Sequence, residues 1–148
     1  MARFKFRLQT LRRIREIHRD EQRGRLATAF EAERILQQQR DALTAEAAEY
    51  LESQRRAMRE GALDVNWMLT TQRYQLALEA QAKVLAEQAA KLAEEVERRR
   101  VALVEADREV RVLDKLEERQ RKQHQIAAVR AETKLLDEVA SVRWEGSD

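Results

Sequence analysis

The sequence has no cysteine and no proline, only three glycines, and aromatic residues at 5% of its 148 positions. Each scarcity removes a class of protein. Without cysteine there is no disulfide framework and no zinc knuckle, which suits a reducing cytoplasm. With so few turn-forming residues the chain cannot be a globule of short elements joined by many loops. No apolar run approaches the roughly 18 residues that a membrane span needs. The basic start Met1-Ala2-Arg3-Phe4-Lys5-Phe6-Arg7 is followed by no apolar segment of the kind a signal peptide carries, so a soluble, unprocessed protein is expected.

Enzyme chemistry has as little to stand on. There is no glycine-rich phosphate loop and no nucleophile motif, and the two histidines, His18 and His124, do not converge. Acidic residues are plentiful but fall on helix faces with no concave pocket to perturb them. The chain is expected to be no enzyme and to hold neither metal nor cofactor.

What is present is charge, at 38%, together with abundant Ala, Leu, Glu, Gln and Arg, a composition of long helices. Leu78, Ala82, Leu85, Ala89, Leu92, Val96, Arg99, Leu103, Ala106, Val110 and Leu113 recur at alternating steps of four and three. Only Arg99 among them is not apolar. Such a seam, held for about five heptads, argues for a coiled coil whose stripe faces a partner helix.

The partner is expected from the first sixty residues. Their stripe is Phe4, Leu8, Leu11, Ile14, Leu26, Ala29, Leu36, Leu43, Ala47 and Tyr50, with Glu33 and Arg40 interrupting it and a stutter near Gly24. Gly61 can end the first helix in the left-handed conformation, and Asp64 or Asn66 can cap the next. A connection this short makes the helices antiparallel.

The expected architecture is therefore all-α. Two long helices form an antiparallel coiled-coil hairpin, with the second helix longer and overhanging at the C-terminus. It is one coiled-coil domain over residues 1–148: helix 1 about 4–60, turn about 61–65, helix 2 about 65–143, and a frayed tail at 144–148. Facing residues should have numbers summing to about 125. Leu36 then meets Ala89, Leu43 meets Ala82, Ala47 meets Leu78 and Ala29 meets Val96. Toward the termini a shift of about one residue brings Leu8 to Leu116, Leu11 to Leu113, Ile14 to Val110 and His18 to Ala106. The stretch from Lys122 to Arg143 has no intrachain partner, yet carries Ile126, Val129, Ala131, Leu135, Leu136, Val139 and Val142. It is a partner-binding element or a homodimer seam.

Charge is uneven along the chain. Residues 1–25 hold nine Lys/Arg against three Asp/Glu, and residues 26–54 hold two against six. The basic residues Arg3, Lys5, Arg7, Arg12, Arg13 and Arg15 should lie beside Arg119, Arg121 and Lys122, a patch for phosphates or for an acidic protein partner. At the other end Tyr50, Trp67, Met68 and Tyr74 gather near the turn, either closing the loop end or anchoring a partner.

Three segments in order resemble the flagellar export protein FliJ family. Phe4-Lys5-Phe6-Arg7-Leu8-Gln9-Thr10-Leu11 matches the family's Phe-x-Phe-x-Leu-x-x-Leu opening and leads into a basic helix. Leu113-Asp114-Lys115-Leu116-Glu117-Glu118-Arg119 is similar to its Leu-x-Lys-Leu-x-Glu-Arg stretch, and Leu136-Asp137-Glu138-Val139-Ala140 to its closing Leu-Asp-Glu-x-Ala. The resemblance implies a cytoplasmic coiled coil, peripheral at the flagellar basal body and similar to the central stalk of rotary ATPases.

Its implied partners are the hexameric type III export ATPase FliI, the export gate protein FlhA and export chaperones. The ATPase-binding end would be Phe4, Phe6, Leu8, Leu11, Arg12, Arg13, Leu116, Arg119, Leu136, Asp137 and Glu138. The exporter contact has no motif to transfer, and Tyr50, Trp67, Met68 and Tyr74 at the tip are the expected residues. The alternatives are the equivalent stalk of a virulence type III secretion system, a nucleic-acid-binding coiled coil, and a self-associating structural coiled coil.

Overall fold

The computed structural model describes residues 2–61 and 64–146. Among them are two helices and no strand: α1, Gln9–Arg59, of 51 residues, and α2, Val65–Glu145, of 81 residues. The fold is all-α, the two helices pack antiparallel, and the second is the longer. The expected turn at about 61–65 includes Ala62 and Leu63, and the expected frayed tail includes Ser147 and Asp148; these four lie outside the described residues, as does Met1.

α1 begins at Gln9 rather than near residue 4. Residues 2–6 are irregular and Arg7–Leu8 form a turn, with the Gln9 N–H donating to the Phe6 carbonyl at 3.3 Å and the Arg12 N–H to the Leu8 carbonyl at 2.9 Å. The Phe-x-Phe spacing gives the reason. Side chains two apart share a side on an extended chain but diverge on a helix. Here Phe6 is buried and Phe4 half-buried, which a helix through both could not arrange. At its other end α1 stops where Gly61 takes a φ of 73°. A Cβ at Gly61 would meet nothing within 4 Å, so only the left-handed backbone demands glycine there. The Met68 N–H donates to the Asp64 carbonyl at 3.0 Å, which makes Asp64 the residue that opens α2.

The chain forms two compact units, one of Gln22–Leu103 and one of the residues before and after it. In the unit Gln22–Leu103, the seam is closed by Leu26, Ala29 and Leu36 of α1, all buried, against Ala89, Leu92, Val96, Arg99 and Leu103 of α2, all half-buried. Arg99, the one charged residue of the α2 seam, serves as a cross-tie. Its Nη1 donates to the Arg25 carbonyl at 2.7 Å and its Nε to Glu95 Oε1 at 2.8 Å. That contact, and its neighbour Arg98, hold the Glu95 carboxyl below the usual carboxylate range.

Closer to the turn the packing departs from the expected layers. Leu43–Ala82 and Ala47–Leu78 do not close: Ala47 and Ala82 are exposed, and Leu43 and Leu85 only half-buried. Two alanines in adjacent layers cannot fill the space between helices that Leu36 and Leu78 hold apart, and a groove remains.

In the other unit the seam differs from the apolar reading. Ala106, Val110 and Leu113 of α2 are buried, Val110 at 2% exposure, but Ile14 is 57% exposed and Leu8, Leu11 and Ile17 are exposed as well. The α1 residues turned inward are Arg12, Arg15 and Arg19, all half-buried. These continue the 3–4 spacing of Gln22, Leu26 and Ala29 without a break. The expected stutter at Gly24 and the one-residue register change are therefore absent, and Leu11–Leu113, Ile14–Val110 and His18–Ala106 are not layers. Three constraints explain this. α1 runs unbroken through Gly24, helix phase is fixed by its well-packed middle, and an arginine can lay its methylenes over apolar surface while its guanidinium reaches water or a carboxylate.

The carboxylates are there: Arg15 Nη1 lies 2.7 Å from Glu109 Oε2, and Arg12 pairs with Glu117, with Asp114 3.7 Å away. On α2 the inward row continues through Glu117, Gln120, His124 and Ala128, and every described residue from 129 onward is exposed.

Two variants separate this seam from the all-apolar one. Val110→Ala should lower the unfolding free energy by about 2 kcal/mol, and Ile14→Ala by less than about 0.5 kcal/mol, in urea titrations followed by circular dichroism. Equal losses would restore Ile14 to the core. Gly61→Ala should cost about 1 kcal/mol through the left-handed backbone alone.

Candidate functional site

The terminal cluster is built on α2. Phe4 lies with its ring 5.6 Å from the His124 ring, and the Arg121 guanidinium stands 5.6 Å over its face. The Arg12 guanidinium stands 5.6 Å over the Phe6 ring. Arg12 is thus held by a ring and by carboxylates of α2, and its side chain is only 22% exposed. The structure brings Phe4, Phe6 and Arg12 together as the anchor that fastens the start of the chain to α2. Cation–π and ion-pair contacts reinforce each other where water is partly excluded.

The other residues of this end are placed differently. Leu8, Leu11, Arg13 and Arg119 are exposed and Leu116 is half-buried. Leu136, Asp137 and Glu138 are exposed on α2, about 20 Å along the helix beyond His124. They share a helix with the cluster but no contact with it.

The basic patch is partly neutralised where it was expected. Arg12, Arg15, Arg121 and Lys122 each sit within ion-pair distance of Glu117, Glu109, Glu117 and Glu118 respectively. Such pairs leave a mixed surface rather than a phosphate-binding stripe.

Reading apolar residues alone puts Ile14 in the seam and overlooks Ile17 and Val112, which is 64% exposed. On the heptad frame set by Arg12, Arg15 and Arg19, Leu11 and Ile14 fall on one flank of α1. In an antiparallel pair that flank adjoins the flank of α2 that carries Val112 and Leu116. The sequence did hold the signal, in the unbroken 3–4 spacing from Arg12 to Ala29.

At the turn end Tyr50 and Tyr74 meet with ring centroids 4.3 Å apart at 56°. The Tyr74 hydroxyl donates to a Glu46 carboxylate oxygen. Trp67 is half-buried and Met68 exposed. Two grooves flank the pair here. One, of about 400 Å³, is lined by Leu43, Ala47, Leu51, Gln54, Leu78 and Ala82 among others. The other lies between Ala42, Glu46, Ala80 and Val84. Among the described residues no cluster of three or more His, Cys, Asp or Glu could hold a metal ion, and no helix is long and apolar enough to cross a membrane.

The Tyr74 contact has a pH signature. Its hydrogen bond to Glu46, with desolvation and the nearby negative charge adding to it, raises the phenol above its ordinary value. The neutral phenol is the bonded form, so the contact is intact at neutral pH and is lost as pH rises through the raised value. In ultraviolet titration of tyrosinate, Glu46→Ala should move the Tyr74 midpoint down toward the ordinary value of about 10. An unmoved midpoint would deny the bond in solution.

No curated protein and no solved structure matches the chain. One family model does, described as flagellar FliJ protein, and it covers residues 4–148. It takes in the irregular Phe4–Phe6 segment, both helices and the exposed end of α2. The chain belongs to the flagellar FliJ protein family.

Proposed function

We propose that this chain, as a FliJ-family component of the flagellar type III export apparatus, acts as the coiled-coil stalk that engages the export ATPase FliI. On this reading it also links the ATPase to the export gate protein FlhA, and it works in the cytoplasm beside the flagellar basal body. The observation that carries the reading is the inverted seam. Arg12, Arg15 and Arg19 face α2 while Leu11, Ile14 and Ile17 face outward. A chain selected for its own stability alone would have the leucines and isoleucines inside, since burying each is worth about 1.5–3 kcal/mol. Spending them on the surface makes physical sense if another protein covers them.

The mechanism follows from asymmetry. A six-fold ring offers six equivalent walls, whereas a pair of unlike helices offers a different face to each. Arg119, one heptad from Val112, provides exposed charge on the aliphatic flank of Leu11, Ile14, Val112 and Leu116, and Arg13 is exposed on another side of α1. A wall that receives the aliphatic flank is stabilised in one conformation relative to the others. A ligand shifts a conformational equilibrium only by its differential affinity for the states, and here that difference comes from which flank each subunit meets. The result is a ring biased in assembly and in its cycle of ATP hydrolysis, while the chain itself performs no chemistry. Tyr50, Trp67, Met68 and Tyr74 at the turn end supply the surface for the gate.

Ile14→Glu with Val112→Glu should leave the circular dichroism spectrum and melting unchanged, because both positions are more than half exposed. The same double variant should reduce stimulation of the cognate export ATPase by about tenfold in a turnover assay, the loss expected for two interface anchors. Full stimulation by the folded variant would remove the aliphatic flank from the ATPase contact.

A further inference from the structure

We propose that the groove in the unit Gln22–Leu103 is the receptor for the exposed end of α2 from a second copy of this chain. The two surfaces match in length, charge and hydrogen-bonding capacity.

The groove runs from Arg40 to Gln54, two heptads of α1 and about 21 Å. Its floor is mostly aliphatic, with Thr44, Tyr50, Gln75 and Glu79 also in the lining. Each end carries a donor left without use. Arg40 stands at a seam position, half-buried, and its guanidinium meets no carboxylate among the described residues. Gln54 is 9% exposed, and its Nε2 has no hydrogen-bond partner. A carboxamide N–H removed from water and unpaired is a cost that a native structure ordinarily avoids, and turning the Gln54 side chain toward an occupant of the groove would relieve it.

The end of α2 carries the complement. Beyond Ala128 the exposed row Glu132, Leu135, Val139 and Val142 advances at steps of three, four and three. This row is not an extension of the seam through Leu113, Glu117, Gln120 and His124. It lies on a different face of the helix, and only one of its members is charged. If Glu132 meets Arg40 and the helix runs parallel to α1, then Leu135 and Val139 fall over Leu43 and Ala47, and Val142 over Tyr50, next to Leu51. The last turn of α2 then arrives at Gln54. Carbonyl groups of a helix's last turn lack helical partners and can accept from the Gln54 amide. Glu132 to Gly146 is the same distance along a helix as Arg40 to Gln54, about 21 Å. The small side chains of Ala47 and Ala82, which leave the pair open, are what admit a third helix.

The test uses the full chain, which contains no cysteine. Sedimentation equilibrium over a range of concentrations should show species heavier than the monomer. Glu132→Arg and Arg40→Glu should each weaken association by about tenfold, and the two together should restore it, because the pair is then reversed intact. Independently, a chain with Ala47→Cys mixed with a chain with Val139→Cys should form a disulfide-linked heterodimer under mild oxidation. Both copies of each variant should keep the helical circular dichroism of the parent. A monomer at every concentration, or association indifferent to both reversals, or a failure of the mixed cysteine pair to cross-link, would overturn the proposal.

Discussion

The heptad phase of α2 is the constraint on which everything else depends. From Leu85 to Leu113 its inward row keeps 3–4 spacing with one polar member, Arg99, and that member is satisfied by the Arg25 carbonyl and Glu95. Such a row can be buried only by a helix that follows it at the same spacing. α1 follows it, and its middle, Leu26 through Leu36, fixes its own phase. Once that phase is set, the residues that face α2 on either side are dictated by geometry rather than by polarity. Arginines are carried into the seam at one end and a glutamine at the other.

Each polar intrusion is handled differently, and the differences mark the sites. Arg12 and Arg15 find Glu117 and Glu109 across the pair, and Arg12 also finds the Phe6 ring. Those arginines are therefore structural. Their presence displaces Leu11 and Ile14 to the surface, where a partner can reach them. Among the described residues Arg40 and Gln54 find nothing comparable, and they flank a stretch where alanines leave the helices apart. Satisfied polar groups fasten the pair; the unsatisfied ones border the groove.

Much of this was legible before any coordinates. The absence of proline, the single credible turn at Gly61 and the row from Leu78 to Leu113 lead to two antiparallel helices, and the pairing of Ala29 with Val96 and Leu36 with Ala89 is in keeping with the burial. What was not legible follows from treating side chains as apolar or polar and nothing more. Ile14 looked like core because it is aliphatic, and Arg15 looked like surface because it is charged. Arginine's long methylene stem reverses both assignments once a facing glutamate exists. α1 starts at Gln9, later than its apolar stripe implies, for a related reason: Phe4 and Phe6 are two apart, a spacing that suits an extended segment lying on α2 and not a helix. The groove was missed because pairing a small with a large residue fills a layer on paper, whereas two neighbouring layers each short of volume do not.

Because the chain has no native thiol, one cysteine in place of Ile14 can be read without interference. Its rate of reaction with a water-soluble maleimide, measured alone and then with the export ATPase hexamer, tests the inverted seam and its use together. The expected result is rapid labelling of the free protein, since position 14 is exposed, and marked slowing when the ring is present. Slow labelling of the free protein would return Ile14 to the core. Rapid labelling that the ring leaves unchanged would mean that the aliphatic flank faces some other partner.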